Sequence, residues 1–296
     1  MSNSTIGSLY ALISGLCYGS LGYFGVVITS SGLSYSNMLF WRFLISTIFM
    51  FFYIFLFKRK LRIPKLKSIL TIIITGLAFY SFSTWSFFAA SKYIGTGQAM
   101  VVFFTYPAFV VILNSRIYET KIEKLYYPIF ILITVGMILL IDLHEFKLDL
   151  LGIFLGILSS IAFTLYIIFN HGVMIDSYSS TLFVSIGCMI SFFTSSVFDG
   201  GLGIPQTYDV WINILLIGTI PTAIGILLFL KSLEYISSEK ASILSVSEPV
   251  FTVIFGIFLL GEKLTNIQYW GILIILSSSI LIIFSNEKDN KIGEQK

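Results

Sequence analysis

Runs of about twenty apolar residues follow one another from end to end of this chain, and they leave it few ways to fold. A helix needs roughly 20 such residues to cross the hydrocarbon core of a bilayer. Only helices and closed barrels satisfy the backbone there. Ten spanning helices are predicted, at 6–28, 36–57, 68–91, 95–114, 125–141, 149–170, 178–198, 209–231, 241–260 and 267–284. Composition agrees: 11% of residues are charged and mean hydropathy is +0.94, where an ordinary soluble domain has about 25% charged. The expected class is an all-α integral membrane protein. The first run has no basic n-region and is too long for a cleaved signal peptide, so it counts as a span.

Orientation follows from Lys and Arg. With the N-terminus inside, the inner loops and tail hold Lys58, Arg59, Lys60, Arg62, Lys65 and Lys67, then Arg116, Lys121 and Lys124, and finally Lys231, Lys240, Lys288, Lys291 and Lys296. The outer loops hold Lys92, Lys147 and Lys263. Both termini are therefore expected to be cytoplasmic, in a cell-membrane protein. The block KRKLRIPKLK reads as a topology anchor beside anionic lipid. The net charge of +3 makes no case for nucleic acid.

The chain echoes itself. Tyr93, Ala99 and Pro107 recur 142 residues later as Tyr235, Ala241 and Pro249, and one residue of slippage sets Glu119 against Glu262. Gly7, Ser14 and Tyr18 match Gly152, Ser159 and Phe163. The alternative is a chance likeness among apolar residues. Two units of five helices, 1–143 and 144–296, must enter the bilayer from opposite sides because five is odd. Such inverted repeats place a substrate site where the halves meet, here a central cavity.

Few residues carry chemistry. No P-loop, H-E-x-x-H, paired C-x-x-C or G-x-S-x-G is present. Cys17 and Cys188 read as buried free thiols, and His144 and His171 as loop or interface residues, so neither metal nor cofactor is expected. Glu248 lies roughly 12 Å into its span at 1.5 Å per residue. An acid there faces a wet cavity or the bundle interior. It serves either a substrate amine or a proton, or it ties a neighbouring helix. Arg42, about 9 Å from the opposite face, either grips a carboxylate or phosphate with two parallel hydrogen bonds or snorkels to headgroups. Lys231, at a span end, has the same two options. Pro107 and Pro249 free the carbonyls of Phe103 and Ser245, making a hinge or site wall, or a packing kink. Trp41, Tyr80, Trp85 and Tyr106 are candidate cavity aromatics able to embrace a cation, with packing or interfacial anchoring as the alternative. Gly15-x-x-x-Gly19 and Gly152-x-x-x-Gly156 permit close helix approach.

Tyr-Pro-Ala-Phe at 106–109, Glu-Pro-Val-Phe at 248–251 and Gly-Glu-Lys-Leu-Thr at 261–265 complete a pattern. With the ten spans and the repeat, it resembles the EamA-type members of the drug/metabolite transporter superfamily over nearly the whole chain. The first half departs from the ending, reading Tyr118-Glu119-Thr120. The resemblance implies an inverted-repeat bundle that moves small metabolites such as amino acids by alternating access. It also implies that Glu119 and Glu262 are structural acids at helix ends. The expected activity is secondary transport of a small polar metabolite, an amino acid or derivative, by a monomer or weak dimer. Proton coupling is an option, and no enzymatic activity is expected. The candidate substrate residues are Glu248, Arg42, Trp85, Tyr80, Tyr106, Trp41 and Ser245. Rival readings are transport of a quaternary amine, other organic cation or vitamin, a passive channel, or an intramembrane enzyme.

Overall fold

A computed structural model describes residues 3–57, 64–119, 121–141, 148–171, 173, 175–261 and 264–283. Among them are nine helices long and apolar enough to cross a membrane, and one shorter apolar helix. We number them α1 Asn3–Ser30, α2 Tyr35–Phe57, α3 Leu66–Ile94, α4 Thr96–Ile117, α5 Tyr126–Leu140, α6 Leu150–His171, α7 Ser177–Phe198, α8 Tyr208–Ser232, α9 Ser238–Leu259 and α10 Asn266–Ile283. The predicted run 125–141 is the one that falls short. As α5 it has 15 residues, about 22 Å of helix against a core of about 30 Å. The basic residues Lys58, Arg59, Lys60 and Arg62, and likewise His144, Lys147, Glu262, Lys263 and the tail lysines, lie outside the described residues.

Caps and turns fix the helix ends. Asp176 accepts from the N–H groups of Tyr178 and Ser179, Thr207 from that of Val210, and Ser237 from that of Lys240. Each satisfies a donor that the first turn leaves open. Gly95, at φ 78°, turns the chain between α3 and α4; only glycine takes that conformation without steric cost.

The helices pair as α2 with α7, α3 with α6, α1 with α8 and α9, α4 with α6 and α9, and α5 with α10. Small residues let them approach. A Cβ on Gly187 of α7 would stand 2.2 Å from the carbonyl oxygen of Ile73 on α3. One on Gly7 would meet Tyr235 at 2.7 Å and Ile236 at 2.8 Å, and one on Gly152 would meet Ile94 at 2.6 Å and Tyr93 at 2.8 Å. Serines bond across the same seams. Ser14 Oγ donates to Gly225 O at 2.8 Å, and Ser159 Oγ to Ser83 O at 2.8 Å. Both Gly-x-x-x-Gly pairs serve internal packing, with Gly15 and Gly19 against α9 and Gly156 against α4.

Five helices depart from the α ladder: α1 at a turn on Ser20, and α3, α4, α8 and α9. Phe104 and Thr105 break α4 just before Pro107, and a 3₁₀ turn over Ser245–Ser247 breaks α9 just before Pro249. Each proline then sits in the first turn of the next segment, where its missing N–H costs least. π-helical turns occupy Gly76–Tyr80 in α3 and Gly218–Ile224 in α8.

Gly187→Ala is expected to destabilise the folded protein by about 1–3 kcal/mol, because backbone rather than a flexible side chain meets the added methyl. Thermal unfolding in detergent measures this; an unchanged melting temperature would show that the α3–α7 seam yields freely.

Candidate functional site

A cavity of about 220 Å³ opens in the bundle between α1, α2, α3, α4 and α9, with Phe163 of α6 and Ile217 and Phe229 of α8 behind. This is far above the roughly 10–15 Å³ that one water needs. Its wall reaches Thr29, Tyr35, Ser91 and Thr96, where α1 and α3 end and α2 and α4 begin, so the mouth lies on the face opposite Asn3.

Five of the seven predicted substrate residues line it: Arg42, Tyr80, Tyr106, Ser245 and Glu248. Arg42 is 3% exposed, so it turns inward rather than snorkelling. Its one side-chain hydrogen bond among the described residues runs from Nε to Thr222 Oγ1 at 2.6 Å. Glu248 enters from α9 and sits within electrostatic reach of Arg42. Among the described residues its carboxylate accepts no hydrogen bond. Two opposite charges thus share one cavity without collapsing onto each other. Rings surround them, with Tyr106 edge-on to Phe163 at 4.8 Å and Tyr80 edge-on to Tyr166 at 4.9 Å. Tyr106, on α4, shares a hydrogen bond with Ser245 on α9, which ties together the two broken helices.

The other two, Trp85 and Trp41, do not line the cavity. Trp85 is 48% exposed on the outer surface, because it falls one residue past the cavity-facing Thr84. Trp41 points from α2 to the loop that follows α7, donating to Gly203 O at 2.8 Å with its ring edge-on to Trp211. The carbonyl-bearing residues ahead of the prolines, Phe103 and Ser245, do line the cavity.

The remaining candidates lie elsewhere. Lys231 Nζ sits over the rings of Tyr178 at 5.0 Å and Tyr10 at 5.3 Å, on the face away from the mouth. Glu119 is exposed beyond α4 at φ 51°, an uncommon conformation for a side-chain-bearing residue. Cys188 is buried and its thiol approaches Gly76 O at 3.3 Å. Sequence reasoning passed over Tyr18, Met38, Phe163 and Thr222. Met38 lies one helical turn from Arg42, a signal that was available.

A bundle of apolar helices around a cavity that holds two separate opposite charges defines the class, a multi-pass membrane protein. The EamA-like transporter family model matches residues 5–142 and 150–284, and the chain belongs to that family. It is similar to an uncharacterized transporter of Synechocystis sp., 28% identical over 206 residues, covering 64% of this chain and 60% of that one. An uncharacterized transporter of Archaeoglobus fulgidus is 24% identical over 220 residues, 74% of this chain and 77% of its own. The match thus spans less than two thirds of the Synechocystis protein's length. A solved crystal structure superposes with TM-score 0.76 at 12% identity, covering 93% of this chain and 95% of that one, a likeness of fold.

Tyr106→Phe is expected to cost about 1 kcal/mol by removing the hydroxyl that joins α4 to α9. Trp85→Ala, on the outer surface, is expected to leave ligand binding as it was. Thermal unfolding with and without ligand reads both, and weakened binding in Trp85→Ala would put that ring back at the site.

Proposed function

We propose that this chain is a secondary active transporter of a small amphoteric metabolite, an amino acid or derivative, working in the cell membrane by alternating access. One observation carries the reading: Arg42 and Glu248 enter a single aromatic-walled cavity from different helices and leave each other unpaired. A guanidinium fits a carboxylate with two parallel bonds, and a carboxylate fits an ammonium. A solute bearing both groups completes both ends at once. In the empty cycle Glu248 carries a proton instead, which couples transport to the proton gradient.

Matching contacts support two inverted five-helix halves, 1–143 and 144–296. Gly7 lies under Tyr235 and Ile236 as Gly152 lies under Tyr93 and Ile94. Ser14 bonds to Gly225 as Ser159 bonds to Ser83. The π turns at Gly76 and Gly218 begin 142 residues apart, the same offset as the repeat in sequence. With cytoplasmic termini, the mouth at Thr29, Tyr35, Ser91 and Thr96 faces outward. The cytoplasmic side is then held shut by Asn114 Nδ2, which donates to Ser238 Oγ at 2.6 Å and Glu239 Oε1 at 2.8 Å, and by the Lys231 contacts. Closing the mouth and parting these contacts is the transport step.

The ring cluster of Phe103, Tyr106 and Phe163 beside Glu248 favours a second reading, an organic cation held by rings and one carboxylate. Thermal stabilisation of purified protein by amino acids, amines, carboxylates, nucleosides and vitamins separates the two. Arg42→Lys is expected to weaken carboxylate-bearing ligands about tenfold or more, as a charge-assisted pair of bonds becomes one, and to leave simple amines unaffected. Equal loss for both classes would sink the amphoteric reading. Glu248→Gln is expected to flatten the pH dependence of uptake in proteoliposomes; an unaltered pH profile removes proton coupling through that residue. Ser91→Cys and Thr96→Cys, with Cys17 and Cys188 replaced, are expected to react with an impermeant thiol reagent on intact cells. Labelling only from the inner face reverses the proposed topology.

A further inference from the structure

Thr222 sits in the π-helical turn Gly218–Ile224 immediately after Pro221. Proline has no N–H to offer the carbonyl four residues back, which is that of Ile217. The π turn passes that carbonyl to the N–H five residues on, that of Thr222, and Thr222 Oγ1 donates to it as well, bonding Ile217 O at 2.6 Å. A hydroxyl has one hydrogen to give. With it committed to Ile217, the oxygen can only accept, and Arg42 Nε donates to it at 2.6 Å. Thr222 is 0% exposed, so no water competes. Close contact makes the reach possible, since a Cβ on Gly218 would stand 2.6 Å from Ile45 Cβ and 3.0 Å from Arg42 O. The guanidinium is thereby held by Nε, with its two-Nη edge left for a planar anion.

We propose that Thr222 is a positioning residue that sets substrate specificity: it pins Arg42 to the α8 wall, apart from Glu248 on α9, so that the cavity keeps two separate charges. Pro221 orients the device by freeing the carbonyl that fixes the direction of the hydroxyl. The effect on specificity rests on the amphoteric reading of the cavity; the pinning of Arg42 does not.

Two variants and two measurements test this. Thr222→Val keeps the shape and removes the hydroxyl, whereas Thr222→Ser keeps the hydroxyl. In a cryo-EM structure of Thr222→Val bound to an antibody fragment, Arg42 is expected to leave its place against α8. A guanidinium that stays in place overturns the proposal. Binding is read by thermal stabilisation with L-leucine, 4-methylpentanoate, which lacks the amine, and isopentylamine, which lacks the carboxylate. Thr222→Val is expected to weaken the first two at least tenfold and spare the amine, with Thr222→Ser restoring wild-type behaviour. Uniform loss across all three marks a purely structural role and overturns the proposal. If none of the probes binds the wild type, the amphoteric reading falls, while the position of Arg42 still decides the role of Thr222. Thr222→Ala replaces the valine variant should that misfold. If neither folds but Thr222→Ser does, the hydroxyl is structural and the proposal fails.

Discussion

Inside a bilayer no bulk water stands ready to bond a carbonyl that has lost its donor, and three prolines create that situation in mid-span. Pro107, Pro221 and Pro249 each release the carbonyl four residues earlier, at Phe103, Ile217 and Ser245. All three of those residues line the cavity. Irregular backbone at membrane depth survives only where protein or a wet cavity answers it. The cavity is therefore where the three proline-broken stretches meet. At Ile217 the answer is a π turn, which brings up the Thr222 N–H, joined by the threonine hydroxyl that in turn holds an arginine.

Much of this was legible in the chain itself. Arg42 and Glu248 stood out because a charge in an apolar run is expensive, so the surroundings must offer it something. An aromatic carries no such information, since it is as comfortable against lipid as against a solute. Helical phase supplies what residue type cannot. On α2 the cavity face is Tyr35, Met38 and Arg42, spaced by three and four, and Trp41 stands about 100° around from Arg42. On α3 the face runs Tyr80, Thr84, Phe87 and Ser91, and Trp85 falls off it. Thr222 was out of reach for another reason. Its role depends on a π turn and on the approach of α2 at Gly218, and neither is written in local sequence.

The bundle's inner contacts divide its labour by polarity. Serine and glycine mark the seams where backbones touch, as at Ser83 with Ser159 and Gly187 with Ile73. Packing and hydrogen bonds hold helices together in lipid, where burial of apolar surface offers no net gain. The rings gather instead around the cavity, filling space next to the two charges. Tyr106 belongs to both groups, packing against Phe163 while its hydroxyl holds Ser245. Neighbouring α4 and α9 are thereby fastened at the depth where each is broken.

Helices α5 and α10 lie against each other, so close that a Cβ on Gly271 would stand 2.8 Å from Gly136 O. Neither contributes a residue to the cavity wall. Their outer faces, with Tyr127, Ile131, Trp270 and Leu273 exposed, answer to the lipid and not to the cargo. Selection on what is carried and adaptation to bilayer thickness or lipid type can accordingly proceed on separate helices of one molecule, with the short α5 free to follow the membrane it lives in.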